Sequence, residues 1–404
     1  MRKQVAIIGA GAAGLMAAEV LSGYDVDVSV YDQKPTAARK ILMAGKTGLN
    51  ISHNEPIEQF ITRYTPSEWI APFVRSFGAD DIRAWMASLG IESYVGSTGR
   101  IFPVEMKASK LVRAWLNRLN DYQVKFHYRY RATLLHDRHI AFEVMDNKGV
   151  VLEQFTKQFD AVIVACGGGS YAALGSDSAW QAWFDPSELS SLYASNVGIL
   201  RDWSAFMADH FGQPLKRVTA WVNTDHRHQG DIIISHYGLE SGLIYRLNSD
   251  MRAAQSADGF ILFLDLLPDK SSDDILKIFH KNKKQSLNTL LKKCGLDAVK
   301  IALLRECTNK TDWSDLNKMA NHIKQLAIHC TGFRPMNEAI STGGGIKRAA
   351  VGDDLQLKSC AGVFCCGEML DWDAPTGGYL LTACFATGRA AGQGVVDFLG
   401  LNHK

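Results

Sequence analysis

The sequence has no long apolar run, no excess of charge of either sign, and no cysteine pair at the spacing of a zinc site. None of its apolar stretches reaches the roughly 18 residues of a transmembrane helix, so no membrane-spanning segment is expected. A formal net charge of +2 creates no overall field that would attract nucleic acid or a membrane surface. We therefore expect a cytoplasmic protein with neither partner. The first apolar run also begins too early to follow a signal peptide.

The eight cysteines lie mostly in apolar segments, which is typical of buried, unreactive thiols. Cys365 and Cys366 are adjacent in a predicted strand, so their side chains point to opposite faces and cannot form an ordinary disulfide. No Ser-His-Asp arrangement and no metal-ligand spacing stands out. The sequence thus argues against a dithiol mechanism, and it predicts no bound metal.

The most informative positive feature lies in the first 21 residues. An apolar run at 5–8 is followed at once by Gly9-Ala10-Gly11-Ala12-Ala13-Gly14, and residues 15–21 have the pattern of a helix. A strand, a G-x-G-x-x-G turn and a helix are typical of a dinucleotide-binding βαβ unit. Gly9 permits the tight turn, Gly11 lets the backbone approach a pyrophosphate, and Gly14 lets the helix pack closely on the strand.

A second strand is predicted at 26–31 and ends at Asp32. This acid follows Gly14 by 18 positions, which is close to the distance at which a carboxylate meets the ribose hydroxyls of a bound dinucleotide. The alternative is an acid at a solvated strand end. With strand, turn, helix and acid in this order, the sequence favours a nucleotide site.

Two further strands end in glycine. The apolar run 160–166 is followed by Gly167-Gly168-Gly169, and the run 362–366 is followed by Gly367 and Glu368. A loop at 371–379 then leads into a helix at 380–398. Together with the turn at Gly9, these make three strands that each end in glycine, which indicates a long, fully enclosed cofactor. The sequence contains no second G-x-G-x-x-G that would mark a separate NAD-binding domain. The helix entered through Gly377-Gly378 can direct its positive end at a reduced, anionic flavin, so we expect FAD.

The chain thus begins and ends with strand–glycine–helix units, and the segment between them differs in character. We expect a first segment of an FAD-binding domain at 1–190, an inserted domain at 191–335, and a second FAD-binding segment at 336–404. Within the insert, residues 272–328 have a mostly helical pattern. The basic stretch at 281–284 is interpreted as a solvated helix face.

These motifs together resemble those of the HI0933-like flavoprotein family, which includes YhiN-type and BaiN-type proteins and aminoacetone-oxidase-like FAD enzymes. The resemblance covers nearly the whole chain and rests on residues 9–14, 39–42, 45–53, 99–103, 165–170, 235–239, 343–345, 367–371 and 376–379. It implies an α/β fold: a discontinuous, glutathione-reductase-like Rossmann domain that binds FAD without a covalent bond, with an inserted β-barrel domain bearing a helical subdomain. One loop departs from the pattern. Many relatives have an Arg-Cys pair where this chain has Gly48-Leu49, so no catalytic cysteine is expected there.

From the motifs and the resemblance together we predict two sets of site residues. A cation or amide near the flavin can stabilise its reduced form, a histidine can shuttle protons, and an arginine can clamp a carboxylate. The predicted catalytic residues are Lys46, Asn50, His53, Arg100, His236 and Tyr379. The predicted FAD-binding residues are Gly9, Gly11, Ala12, Ala13, Gly14, Asp32, Gln33, Lys40, Gly45, Lys46, Thr47, Asn50, Ala165, Gly167, Gly168, Gly367, Glu368, Asp371, Gly377, Gly378 and Tyr379.

The expected function is that of an FAD-dependent oxidoreductase. Hydride would pass between a small organic substrate and flavin N5, and O2 or NAD(P)H would be the other redox partner. Two alternatives remain open at this point: a tRNA-modifying flavoprotein, and a flavin redox sensor that has no substrate.

Overall fold

The computed structural model describes residues 2–45, 48–223 and 226–404. The strands are, in chain order, β1 (Lys3–Ile8), β2 (Val26–Asp32), β3 (Ser52–His53), β4 (Ser93–Val95), β5 (Arg100–Pro103), β6 (Lys125–Tyr128), β7 (Tyr130–His136), β8 (His139–Met145), β9 (Val151–Gln158), β10 (Ala161–Val164), β11 (Leu189–Ser195), β12 (Ile199–Leu200), β13 (Pro214–Trp221), β14 (His228–Ser235), β15 (Gly238–Glu240), β16 (Phe260–Asp265), β17 (Leu326–Cys330), β18 (Gly332–Phe333), β19 (Ser341–Ile346) and β20 (Val363–Cys365). The α-helices are α1 (Ala12–Leu21), α2 (Arg39–Ala44), α3 (Ile57–Phe60), α4 (Ser67–Ser76), α5 (Ala79–Ser88), α6 (Ala108–Asp121), α7 (Gly242–Arg246), α8 (Asn248–Ala253), α9 (Ser272–Lys281), α10 (Leu287–Cys294), α11 (Ala298–Glu306), α12 (Leu316–Lys324) and α13 (Tyr379–Leu399).

The chain divides into two units, each with its own hydrophobic core. The first unit combines Met1–Ala194 with Ile340–Lys404, and the second is Ser195–Ala339. The boundaries predicted from the sequence, at 190 and 335, lie within five residues of these.

The first unit is built on a parallel sheet with the strand order β20-β10-β1-β2-β6. Ile8 at the end of β1 pairs with Val164 on one side and with Tyr31 on the other. The strand β10 is completely buried, as expected for a strand of a parallel sheet that is covered on both faces. The predicted Rossmann-like core is therefore confirmed. All the carboxyl ends of the strands meet at one edge, where such sheets bind ligands.

Close packing at this edge requires glycine. Gly9 has φ +106°, and a Cβ there would lie 2.3 Å from the carbonyl oxygen of Ala165. A Cβ on Gly14 would lie 1.9 Å from the Gly9 oxygen, and one on Gly388 of α13 would lie 2.3 Å from the Ala13 oxygen. The first turn, α1 and the C-terminal helix α13 are thus in direct backbone contact.

Around the parallel sheet lie short helices and three small sheets. Two of these helices, α4 and α5, begin at Ser67 and Ala79. The small sheets have the strand orders β3-β5-β4, β7-β8-β9 and β11-β19.

The second unit contains an antiparallel sheet with the strand order β17-β16-β13-β14-β15-β12-β18, together with the helices α7 to α12. The predicted helical stretch at 272–328 is present as α9 to α12, but the predicted β-barrel is not confirmed. In the described residues of either unit, no helix has the length and apolar character needed to cross a lipid bilayer.

Candidate functional site

A groove of about 580 Å³ lies in the first unit at the carboxyl ends of the parallel strands. Its volume is within the range of small-molecule and cofactor sites, and its place in the sheet is the usual one for a dinucleotide. The structure brings together at this groove the predicted FAD-binding residues Gly9, Gly11, Ala12, Ala13, Asp32, Gln33, Lys40, Ala165, Gly167, Gly367 and Glu368.

The G-x-G-x-x-G turn forms one wall of the groove. Gly11 immediately precedes α1, and a Cβ on it would have no heavy atom within 4 Å, so the space beside it is open. The helix has no side-chain cap, which leaves its positive end available to an anion. Gly14 is not part of the lining, because it faces the Gly9 carbonyl. Gly9 has the positive φ of a tight turn, and the approach of a pyrophosphate to Gly11 stays a prediction.

Asp32 lies in the groove at the end of β2 and is held by its own loop. Its Oδ2 accepts a hydrogen bond from the N–H of Ala10 and its Oδ1 accepts one from the N–H of Lys34, both at 2.8 Å. Burial raises the pKa of Asp32, while these two N–H groups act to lower it. Each carboxylate oxygen has a second lone pair, so Asp32 can still accept from a ribose hydroxyl.

The same end of the groove is lined by aromatic residues that the sequence reasoning missed: Tyr31, Tyr130, Tyr171, Trp180 and Trp183. Trp180 is fixed in place because its indole N–H donates to the carbonyl of Gly167 at 2.8 Å. The tryptophans and tyrosines that follow Gly167-Gly168-Gly169 in the sequence could have indicated this aromatic lining. These rings offer stacking surfaces for a nucleobase.

An ion pair joins two of the residues that line the groove. Lys40 Nζ lies 2.9 Å from Glu368 Oε2 and donates to Ser170 Oγ at 3.1 Å. Glu368 Oε1 accepts from the N–H of Thr342 at 3.1 Å. Gly168 is not part of the lining, since a Cβ on it would lie 1.6 Å from Thr342 Oγ1. Its missing side chain makes room for protein rather than for a ligand.

Three free cysteines also line the groove, and we call them the groove thiols: Cys166, Cys366 and Cys384. Burial raises the pKa of all three thiols, that of Cys384 to about 12. A raised pKa favours the neutral thiol, which is a poorer nucleophile than the thiolate. Cys365 and Cys366 are both free.

The segment predicted to lie along the flavin is only partly described, because Lys46 and Thr47 fall outside the described residues. Gly45 faces helix α6, where a Cβ on it would lie 2.3 Å from that of Ala108. Leu49 is completely buried. The Oδ1 of Asn50 is buried without a hydrogen-bond partner in the described chain. A buried, unpaired acceptor at this position fits a cofactor that brings a donor, such as the N–H group of a flavin ring.

The glycines at 377–378 place the N-terminus of α13 against β3. Gly378 has φ +100°, and a Cβ there would lie 2.5 Å from Ser52 Cα. The first turn of α13 supplies Leu380 and Leu381 to the groove. Asp371 is not part of the lining, and its Oδ2 accepts from Ser190 Oγ at 2.5 Å.

Two predicted catalytic residues, His53 and Arg100, are cross-strand partners in β3 and β5. The Nε2 of His53 donates to the carbonyl of Thr98 at 3.0 Å, which fixes the tautomer. The His53 Nδ1 is buried without a partner in the described chain. Its ring stacks on that of Tyr379, the first residue of α13, at 5.5 Å between centroids.

Tyr379 is anchored by an acid that the sequence reasoning missed. Its hydroxyl donates to Glu55 Oε1 at 2.6 Å, and Arg63 donates to both Glu55 oxygens. Burial raises the pKa of Tyr379, and Glu55 raises it further. Burial also acts to raise the pKa of Glu55, but the hydrogen bonds from Arg63 and Tyr379 outweigh it and leave that pKa lowered. The pair is therefore a neutral phenol that donates to a carboxylate.

His236, the remaining predicted catalytic residue, belongs to the second unit. It is exposed just after β14, and its ring meets that of Tyr237 edge-on, with 5.1 Å between centroids. The Tyr237 hydroxyl donates to Glu240.

The family model for the HI0933-like protein Rossmann domain matches residues 3–394. A 3-dehydro-bile acid delta(4,6)-reductase of Clostridium scindens is 24% identical, over 98% of this chain and 99% of that protein. A ribosomal RNA dihydrouridine synthase of Haemophilus influenzae is 25% identical, over 92% and 93%. Among solved structures, a 3-ketosteroid-delta4-(5alpha)-dehydrogenase of Rhodococcus jostii has a TM-score of 0.49 at 14% identity and covers 97% of each chain.

Proposed function

Because this chain belongs to the HI0933-like protein family and is an FAD-dependent oxidoreductase, we propose that it transfers hydride between a small organic substrate and N5 of bound FAD. The other redox partner in this proposal is O2 or NAD(P)H. Bound FAD supplies the hydride chemistry, and the protein supplies binding, orientation and electrostatics. The observation that carries the proposal is the groove itself, which runs past an open Gly11 to the first turn of α13.

In this proposal the pyrophosphate lies against Gly11 and the first turn of α1, and the adenosine end lies among the aromatic residues near Asp32. The open space beside Gly11 and the uncapped helix support the first placement. The two free lone pairs of Asp32 support the second. Asn50 would accept from the flavin ring, and the N-terminus of α13 would stabilise negative charge on the reduced ring.

We further propose that the reaction reduces a carbon–carbon double bond. The names of the two relatives support this direction, since one denotes a delta(4,6)-reductase and the other a synthase of dihydrouridine. His53 is the candidate proton donor. Its Nε2 is committed to the Thr98 carbonyl, so the proton would be carried on Nδ1, which is next to the ring of Tyr379 and has no partner in the described chain.

The test uses purified protein in anaerobic stopped flow. We expect yellow protein whose flavin absorption is bleached by NADH or NADPH and restored by an enone substrate. His53→Gln should keep the FAD content and slow reoxidation by the enone, whereas His136→Gln, a change at an exposed histidine of β7, should leave both unchanged. Protein that remains colourless after incubation with FAD would refute the proposal.

One observation favours a second candidate, a flavoenzyme that acts on RNA. The relative from Haemophilus influenzae is named for ribosomal RNA, and the helical stretch of the second unit carries Lys281, Lys283, Lys284, Lys292 and Lys293. Phosphate binding by these lysines would weaken steeply as salt rises. Salt-sensitive binding to ribosomal RNA that is lost when Lys283 and Lys284 are changed to Gln would support this candidate, and equal binding by the variant would exclude these two lysines as its basis.

A further inference from the structure

We propose that one face of the small sheet β3-β5-β4 is the substrate-binding surface, and that the substrate it takes is an apolar molecule bearing a carboxylate. We call this face the aromatic face and define it by His53, Tyr94, Arg100 and Phe102. The inference rests on the proposed function, because it names the substrate class of the same site.

The strand register puts these four side chains on the same side of the sheet. His53 pairs with Arg100, and Tyr94 pairs with Phe102. Since side chains alternate along a strand, Arg100 and Phe102 share one face while Ile101 lies on the other. The burial along β5 follows the same alternation, because Arg100 is exposed, Phe102 is half-buried and Ile101 is fully buried.

Two stacked aromatic rings form the apolar part of the face. The rings of Tyr94 and Phe102 lie 5.7 Å apart at 26°, and Tyr94 is 41% exposed. Gly96 lies beside them, and a Cβ on it would come within 3.2 Å of Phe102 Cε2. The Tyr94 hydroxyl donates to Met106 Sδ at 3.1 Å, which fixes its ring, and the two stacked rings offer a flat platform to an apolar molecule.

Arg100 supplies the charge. It is exposed, and no carboxylate of the described residues lies within ion-pair distance of it. A guanidinium with free donors can bind a carboxylate through two parallel hydrogen bonds. A cation next to two stacked rings is therefore complementary to a molecule with an apolar body and an acidic end.

The aromatic face borders the segment proposed to hold the flavin. The backbone N–H of Ile51 donates to the carbonyl of Ile101 at 2.9 Å, and that of Asn54 donates to Gly99 at 2.7 Å. At one end of the face, His53 stacks on Tyr379 at the N-terminus of α13. A substrate on this face would thus lie next to the group proposed to supply its proton.

The experiment uses the FAD-loaded protein and two probes, 2-naphthoate and 2-naphthol, with binding measured by equilibrium dialysis. Arg100→Gln should weaken 2-naphthoate about tenfold, the loss of one bidentate ion pair, and leave 2-naphthol unchanged. Phe102→Leu should weaken both probes. Arg113→Gln, a change at an exposed arginine of α6, is the matched control and should weaken neither.

Equal binding of 2-naphthoate by wild type and Arg100→Gln would overturn the proposal, as would no saturable binding of 2-naphthoate to the wild type. Tighter binding of uridine 5′-monophosphate than of 2-naphthoate would also overturn it, because a nucleotide can use the same rings and cation. FAD content and bleaching by NADPH are recorded on the same samples. Normal bleaching with Arg100-independent binding refutes the substrate class alone, whereas absent FAD refutes the proposed function.

Discussion

Gly11→Ala should separate FAD binding from folding, because Gly11 and Gly14 occupy opposite environments in one motif. A Cβ on Gly11 meets no heavy atom within 4 Å, and the residue has φ −86°, which alanine adopts easily. A Cβ on Gly14 would lie 1.9 Å from the Gly9 oxygen, which is far inside contact distance. The first change fills the groove, and the second forces the strand and helix apart.

The expected magnitudes follow from these contacts. Gly11→Ala replaces a helix N-cap and should cost about 1 kcal/mol or less of unfolding free energy. It should remove about 1.5–3 kcal/mol of FAD binding, the value of a charge-assisted hydrogen bond to phosphate, which is about 10–150-fold in Kd. Gly14→Ala should cost about 3 kcal/mol or more of unfolding free energy, because neither backbone segment can yield without repacking.

The unfolding free energy and the Kd for FAD can both be measured on protein from which FAD has been removed. Urea unfolding gives the free energy of each variant, and quenching of flavin fluorescence gives the Kd for FAD. For the wild type, FAD at 100 times Kd should add about 2.7 kcal/mol of stability, and Gly11→Ala should lose most of this gain at the same FAD concentration. Wild-type FAD affinity in Gly11→Ala would refute the placement of the pyrophosphate.

Three further outcomes follow from other contacts. Lys40→Met should lower the unfolding free energy by about 1 kcal/mol, because it leaves the Glu368 carboxylate without its cation. Adding Glu368→Gln should recover part of this loss. An equal loss in the single and the double variant would show that Lys40 and Glu368 are not energetically coupled. Glu55 has a lowered pKa, so its bond to Arg63 stabilises the fold fully above pH 4.5 and is lost as pH falls below that value. Glu55→Gln should therefore flatten the acid limb of a Tm-versus-pH curve, and an unchanged limb would contradict this. The groove thiols should react with iodoacetamide at neutral pH only after unfolding, as mass spectrometry can check.

The parts of the fold that could be predicted are those set by local sequence. The strand–glycine–helix pattern around Gly9 specifies a turn whose geometry depends on a few adjacent residues. The carboxylate of Asp32 lies in the groove because it follows directly on a predicted strand. The pairing of His53 with Arg100, by contrast, joins residues that are far apart in the sequence. The sequence around either residue does not indicate which residue it pairs with.

Glycine was also ambiguous as a sign of ligand contact. A missing side chain can make room for a cofactor, as beside Gly11, or for protein, as at Gly45 and Gly168. The sequence does not distinguish these two uses, so several predicted FAD contacts face protein atoms instead. Glu55 was missed because an acid in the loop between β3 and α3 gives no hint that a distant tyrosine will donate to it.

The return of the chain to its first unit has a consequence for biosynthesis. The strand β10 ends at Val164, and its outer neighbour β20 begins at Val363, so the ribosome must add about 200 residues between them. At about 5–20 residues per second this takes about 10–40 s, during which the nascent chain exposes an unpaired strand edge. Gly367, Glu368 and the first turn of α13 are made later still, so any product truncated in the insert lacks one wall of the groove. The groove can therefore be completed only after the whole second unit has been synthesised.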